Sequence, residues 1–172
     1  MYLWKPSNAV HKQISFSPFN LNLDFNYFCY LDGFGYDPST DDYLVVSMSY
    51  NPALAHISPH LEFFSLRANT WKETEGTYFP YMNASDNPRV WSLFNGAIHW
   101  LAFNSDTSMN FIIAFDLAER KLLQMSIPMS GGFDIDPKFC DLWVFGEFLS
   151  LWSMKNDTVE IWVIKEYKVH SS

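Results

Sequence analysis

The sequence predicts an all-β fold built of propeller blades, each a sheet of four antiparallel strands. Three observations carry that expectation. Aromatic residues make up 19% of the 172 (Phe 16, Tyr 9, Trp 7), and rings fit the pleated, half-buried surface of a sheet. Proline and glycine interrupt every window long enough for a helix. One pattern of strand, turn and strand recurs along the whole chain, at the spacing of a repeat architecture.

The repeat is read as follows. "LWKPSNAVHKQI" (3–14), "FFSLRANTWKET" (63–74), "AFDLAERKLLQM" (114–125) and "IWVIKEYKVHSS" (161–172) each hold an apolar strand with an aromatic, a polar turn and a short strand containing lysine or Trp-Lys. Their aligned aromatics, Trp4, Phe64, Phe115 and Trp162, stand 60, 51 and 47 residues apart. Between them lie "GFGYDPSTDDYLVVSM", "VWSLFNGAIHWLAF" and "LWVFGEFLSLWSM". Each is two apolar runs about a tight turn, the signature of a hairpin. Two hairpins per period is the strand count of a kelch-like blade.

"NFIIAFDL" is almost continuously apolar, as a strand covered on both faces should be, whereas "KLLQMSIP" and "YLVVSMSY" alternate. A β-sandwich would have similar strands without a true repeat. Complete blades are expected at roughly 33–75 and 89–128, with two partial ones. The chain would open on the third strand of one blade and stop on the third strand of another. Propellers close with about 4–8 blades, so the expectation is an incomplete propeller: one domain, 1–172, truncated at both ends.

Charge and composition exclude several functions. Eleven basic against 19 acidic residues give a net charge of -8, and no run of lysine or arginine offers a local exception. Such a chain repels phosphate backbones, so no nucleic acid is expected. No apolar stretch reaches the roughly 20 residues a membrane helix needs, and "MYLWKPSNAV" has no apolar core of a signal peptide. No membrane partner follows. Cys29 and Cys140 lack CxxC spacing and read as small buried residues in a reducing compartment. Asn83 and Asn156 sit in chance matches to the glycosylation sequon. Localisation is expected to be cytoplasmic or nuclear.

No catalytic, cofactor or metal site emerges from the motifs. Gly33 and Gly35 lack a third glycine and a following helix, which excludes a dinucleotide fingerprint. Asp37, Ser39 and Asp41 have the alternate spacing of a calcium loop, but the twelfth position is Met48 rather than glutamate. Asp-Pro-Ser-Thr is turn chemistry instead. His56 and His60 have the i, i+4 spacing of a zinc pair, yet Pro52 and Pro59 oppose the helix it requires. His99 follows a hairpin turn at a strand position and reads as a hydrogen-bonded core histidine rather than a base. Asp134 and Asp136 form a loop pair without a nucleophile nearby, and no G-x-S-x-G or Walker loop is present.

Six segments in order resemble the plant F-box-associated interaction domain of F-box/kelch and S-locus F-box proteins. They are "LWKPSNAVHKQI", "GFGYDPSTDDYLVV", "FFSLRANTWKE", "FNGAIHWLAF", "IIAFDLAERKLLQMSIP" and "VEIWVIKEYKVHSS". The resemblance implies a non-catalytic protein-interaction module, the substrate-recognition part of an SCF-type E3 ubiquitin ligase, with a target protein as partner. It also implies a family pattern in which an F-box docks a Skp1-type adaptor. Nothing before Trp4 forms such helices, so adaptor contact is not supported by these residues. A carbohydrate-binding or enzymatic propeller, or a non-functional truncated copy, are the alternatives.

Strand parity points to a partner face. Loops between second and third strands, and between blades, emerge together; the other turns emerge opposite. The long loops 51–60, 76–88, 104–110 and 128–138 all belong to the first set. They carry His56, His60, Tyr78, Tyr81, Met82, Phe133, Asp134 and Asp136, with Arg89 nearby. Aromatics and methionine on loops favour interfaces, so partner binding is expected there. Loops folded back over blade edges would look the same.

Overall fold

Strands joined by two to four residues can pair only antiparallel, and such turns dominate this chain. The structure, a computed structural model, describes residues 2–5, 7, 9–15, 17, 29–50, 60–74, 81–83, 91–104, 106–127, 140–155 and 157–165. Fourteen strands in four sheets, and no α-helix, occur among the described residues. The first sheet is the hairpin β1 (Tyr2–Lys5) and β2 (Val10–Gln13). The second is a meander of β3 (Cys29–Asp37), β4 (Asp42–Tyr50), β5 (His60–Ser65) and β6 (Thr70–Glu73).

The third sheet holds β7 (Tyr81–Asn83), β8 (Ser92–Phe94), β9 (Ala97–Asn104), β10 (Met109–Asp116) and β11 (Lys121–Ser126). The fourth is β12 (Cys140–Phe145), β13 (Phe148–Lys155) and β14 (Thr158–Val163). Among the described residues the second sheet is thus four strands wide, and so is the third, where β7 and β8 share one edge of β9; this is the blade width the repeat predicts, with β1 and β14 as third strands.

The turns follow one chemistry. Ala9, Asp41, Asn69, Ser108 and Arg120 each close a turn with positive φ, between 49° and 58°. At the start of the last four of these turns an oxygen-bearing side chain accepts the N–H groups that the turn leaves exposed. Asn104 Oδ1 takes Asp106 and Thr107, Asp116 Oδ1 takes Ala118 and Glu119, and Ser65 Oγ takes Ala68. This is the Asx-type turn in which a side chain stands in for backbone. The two-residue hairpins need glycine instead: Asn95 and Gly96 have φ of 47° and 73°, the all-positive pattern of type I′.

Period-two alternation decides which sheets touch. On the second sheet Leu31, Leu44, Val46, Met48, Leu61 and Phe63 face the third, meeting Ile98, Trp100, Ala102, Phe111, Ile113 and Phe115. The alternate residues Val45 and Phe64 face the first sheet with Ile14. Ala97, Leu101, Ile112 and Ala114 face Cys140, Leu142, Leu149 and Leu151 of the fourth. Residues 111–115 are all buried because β10 is covered on both faces. Phe111, Ile112, Ile113 and Phe115 each contribute roughly 1.5–3 kcal/mol of burial.

The aligned aromatics obey one rule. Phe64, Phe115 and Trp162 pack toward the preceding sheet, the first, second and third respectively. Trp4 occupies the same place on the first sheet and is 68% exposed. At the other end Trp143, Phe145, Phe148, Met154 and Ile161 are exposed on the fourth sheet's far face.

Two expected loops are shorter than the sequence suggests. Asn104 ends β9 and Met109 and Asn110 begin β10, so 104–110 contracts to 105–108. Within 76–88, Tyr81–Asn83 forms β7, paired with Asn104–Ala102 of β9. The physical reason is backbone satisfaction: β9 has eight residues and β8 covers only Ala97–His99, so the rest of that edge takes another partner.

Candidate functional site

Gly33 and Gly35 of the "GFG" in β3 are placed by packing between sheets. Leu31, Gly33, Gly35 and Asp37 share the face of β3 that looks at the third sheet. A Cβ on Gly33 would lie 2.5 Å from Ile98 Cγ2 and 3.0 Å from Trp100 Cζ2. On Gly35 it would lie 2.6 Å from Leu117 Cδ1. The glycines thus let two blades approach closely. Trp100 Nε1 completes this contact by donating to the Asp32 carbonyl at 2.7 Å.

Asp37 continues the same face to its end and is fully buried. It pairs directly across from Asp42, and like charges set opposite repel. Each therefore has its own donors. Asp37 accepts Ser39 N–H (2.9 Å), Ser39 Oγ (2.6 Å), Thr40 Oγ1 (2.6 Å) and Arg120 Nη2 (2.8 Å). Burial pushes its pKa up, but the bonds from Ser39, Thr40 and Arg120 outweigh it and hold the carboxyl well below the usual range. Asp42 accepts Ser65 Oγ and, at 2.8 Å, Arg67 N–H.

The cations complete a cleft of about 500 Å³ between the second and third sheets, on the tight-turn side. Its walls are Thr40, Asp42, Leu44, Phe63, Ser65, Arg67, Ala68, Lys72 and Arg120. Arg120 comes from the β10–β11 turn, where φ is 58°, an uncommon conformation for arginine. It lies 5.4 Å over the Phe63 ring. Arg67 comes from the β5–β6 turn and donates to the Thr40 carbonyl at 2.6 Å. Lys72 pairs with Phe63 in register, which puts it on the same face.

The structure places the sequence-predicted residues as follows. His60 opens β5, and Tyr81 and Met82 lie in β7 rather than in loops. His56, Tyr78, Arg89, Phe133, Asp134 and Asp136 lie outside the described residues. The sequence does not announce the cleft, because Arg67 and Arg120 stand in turns and Lys72 in a strand, with Arg120 far from the other two along the chain. The available signal was "SLR" and "AERK", an arginine in the last turn of each complete blade. His99 is buried in the third sheet, its Nδ1 donating at 3.2 Å to the Ser92 carbonyl. Burial lowers its pKa to about 4, so it is a neutral core residue. Among the described residues no cluster of histidine, cysteine and acidic groups is built to hold a metal.

Known proteins similar to this chain are plant F-box proteins. It is 28% identical to the F-box/kelch-repeat protein At3g23880 of Arabidopsis thaliana, over 97% of this chain and 44% of that protein. It is 27% identical to the F-box protein CPR1 of Arabidopsis thaliana, over 81% of this chain and 38% of that protein. F-box protein At2g21930 of Arabidopsis thaliana is 24% identical, over 86% and 37%. The chain thus spans less than half the length of these curated relatives. No solved structure matches it. Residues 8–171 match the F-box associated beta propeller domain, six quoted segments fall in one order, and blades occur where the repeat requires them: the chain belongs to the F-box associated beta propeller domain family.

Proposed function

We propose that this chain recognises a target protein for an SCF-type E3 ubiquitin ligase, as a non-catalytic interaction module. The family match over residues 8–171 carries the reading, and its relatives are F-box proteins. The geometry agrees in kind. Stacked sheets make a rigid frame, and turns and loops at their ends offer side chains to a partner. In such a system the ubiquitin chemistry belongs to other subunits, in the cytoplasm or nucleus. Adaptor docking is assigned to none of these residues.

Capture from a plant extract with the tagged chain, read by mass spectrometry against a heat-denatured control, tests the reading. One or more proteins retained only by the folded chain is the expected result. No specific protein, combined with binding on a carbohydrate array, would overturn it in favour of a lectin-like propeller.

A further inference from the structure

We infer that the cleft between the second and third sheets is an anion-recognition pocket, taking a carboxylate or phosphate carried on a short apolar stem of the target protein. Three of the chain's 11 basic residues, Arg67, Lys72 and Arg120, line this one cleft in a molecule of net charge -8. That is a local reversal of the molecule's field.

The acidic groups present are already occupied. Asp37 holds Ser39, Thr40 and Arg120 Nη2; Asp42 holds Ser65 and the Arg67 backbone. The cations, by contrast, have donors to spare. Arg120 Nη1 is buried with no hydrogen-bond partner among the described residues. A buried guanidinium N–H without an acceptor is costly, and a negative charge seated in the cleft beside it offsets part of that cost. Lys72 has no ion-pair partner among the described residues, and Arg67 uses Nη1 on Thr40. With Asp37 and Asp42 counted, the site has two negative charges against three positive ones.

The shape narrows the ligand class. Leu44, Phe63 and Ala68 supply apolar wall beside the cations, which suits a side chain with an anionic end. Forked guanidinium groups bind carboxylate and phosphate oxygens in pairs. An aspartate or glutamate side chain of the target and a phosphorylated residue share this chemistry. The pocket lies at the turn ends of β3–β4, β5–β6 and β10–β11.

The inference rests on the target-recognition reading, and its test is separable. Glutarate and phenyl phosphate, titrated at low ionic strength and followed by amide shifts of residues 40, 67, 68 and 120, stand for the two sources. Saturable shifts with millimolar affinity are expected, weakening with salt. Lys72→Met and Arg67→Met should each weaken binding at least fivefold. Lys121→Met, an exposed lysine paired with Glu119, should leave it unchanged.

A response to glutarate alone assigns a carboxylate, to phenyl phosphate alone a phosphorylated residue, and to both the general anion class. No saturable shift with either, or wild-type affinity in a folded Lys72→Met chain, overturns the inference. If Lys72→Met and Arg67→Met chains still capture the wild-type target at full yield, the pocket does not serve recognition, although the recognition reading stands. If the wild-type chain captures nothing while anions bind, the recognition reading fails and the anion site stands.

Discussion

His99 sets the chain's response to mild acid. Folding holds its pKa near 4, against 6.5 for the unperturbed side chain, because burial disfavours the charged ring. The unfolded chain therefore binds a proton that the folded chain refuses, between those two values. Its contribution is intact above pH 6.5 and is lost as pH falls toward 4, by on the order of 3 kcal/mol. Asp37 acts in a lower window. Its folded pKa is depressed below 3.8, so its stabilisation is present above that value and disappears beneath it. Urea unfolding from pH 8 to 3 should show both losses. In a His99→Asn chain the loss between pH 6.5 and 4 should shrink, and that below 3.8 should persist. An unchanged profile in the variant would remove His99 from the account.

At the scale of elements, β3 is shaped by what it approaches. The Cβ of Gly33→Ala would meet Ile98 Cγ2, a methyl fixed close to its own backbone by the branched Cβ, and the Trp100 ring. The Cβ of Gly35→Ala would meet the terminal methyl of Leu117, which can yield by rotation. Overpacking of this kind costs about 1–3 kcal/mol, while alanine recovers about 0.5–1 kcal/mol of strand propensity lost to glycine. Gly33→Ala should lower the urea midpoint clearly, and Gly35→Ala should be close to neutral. The reverse order would show that close approach to β9 is not what these glycines serve.

For the whole molecule, stability is layered. The second and third sheets are covered on both faces, by the clusters around Phe64, Trp100 and Leu142. The first and fourth sheets each present large apolar side chains outward, including Trp4 and Trp143. In stacked repeats each unit draws its stability from its neighbours. Hydrogen exchange should accordingly find the slowest amides in β9 and β10, and faster exchange in β1, β2 and β14. Equal protection across all four sheets would contradict this ordering.

Much of this was legible in the sequence. Alternating apolar residues, Asn95-Gly96 and the Asp37-Pro38 turn determine strands and hairpins, since both act through neighbours along the chain. The 47–60 residue spacing of Trp4, Phe64, Phe115 and Trp162 determined the blade repeat. β7 was not legible, because three residues acquire strand character only from the open edge of β9. Nor was the cleft. Arg67, Lys72 and Arg120 matter as a group only because sheet stacking brings the β5–β6 and β10–β11 turns, some 50 residues apart, to opposite sides of one space. Charge proximity depends on distance through space, and that quantity is decided by the tertiary structure alone.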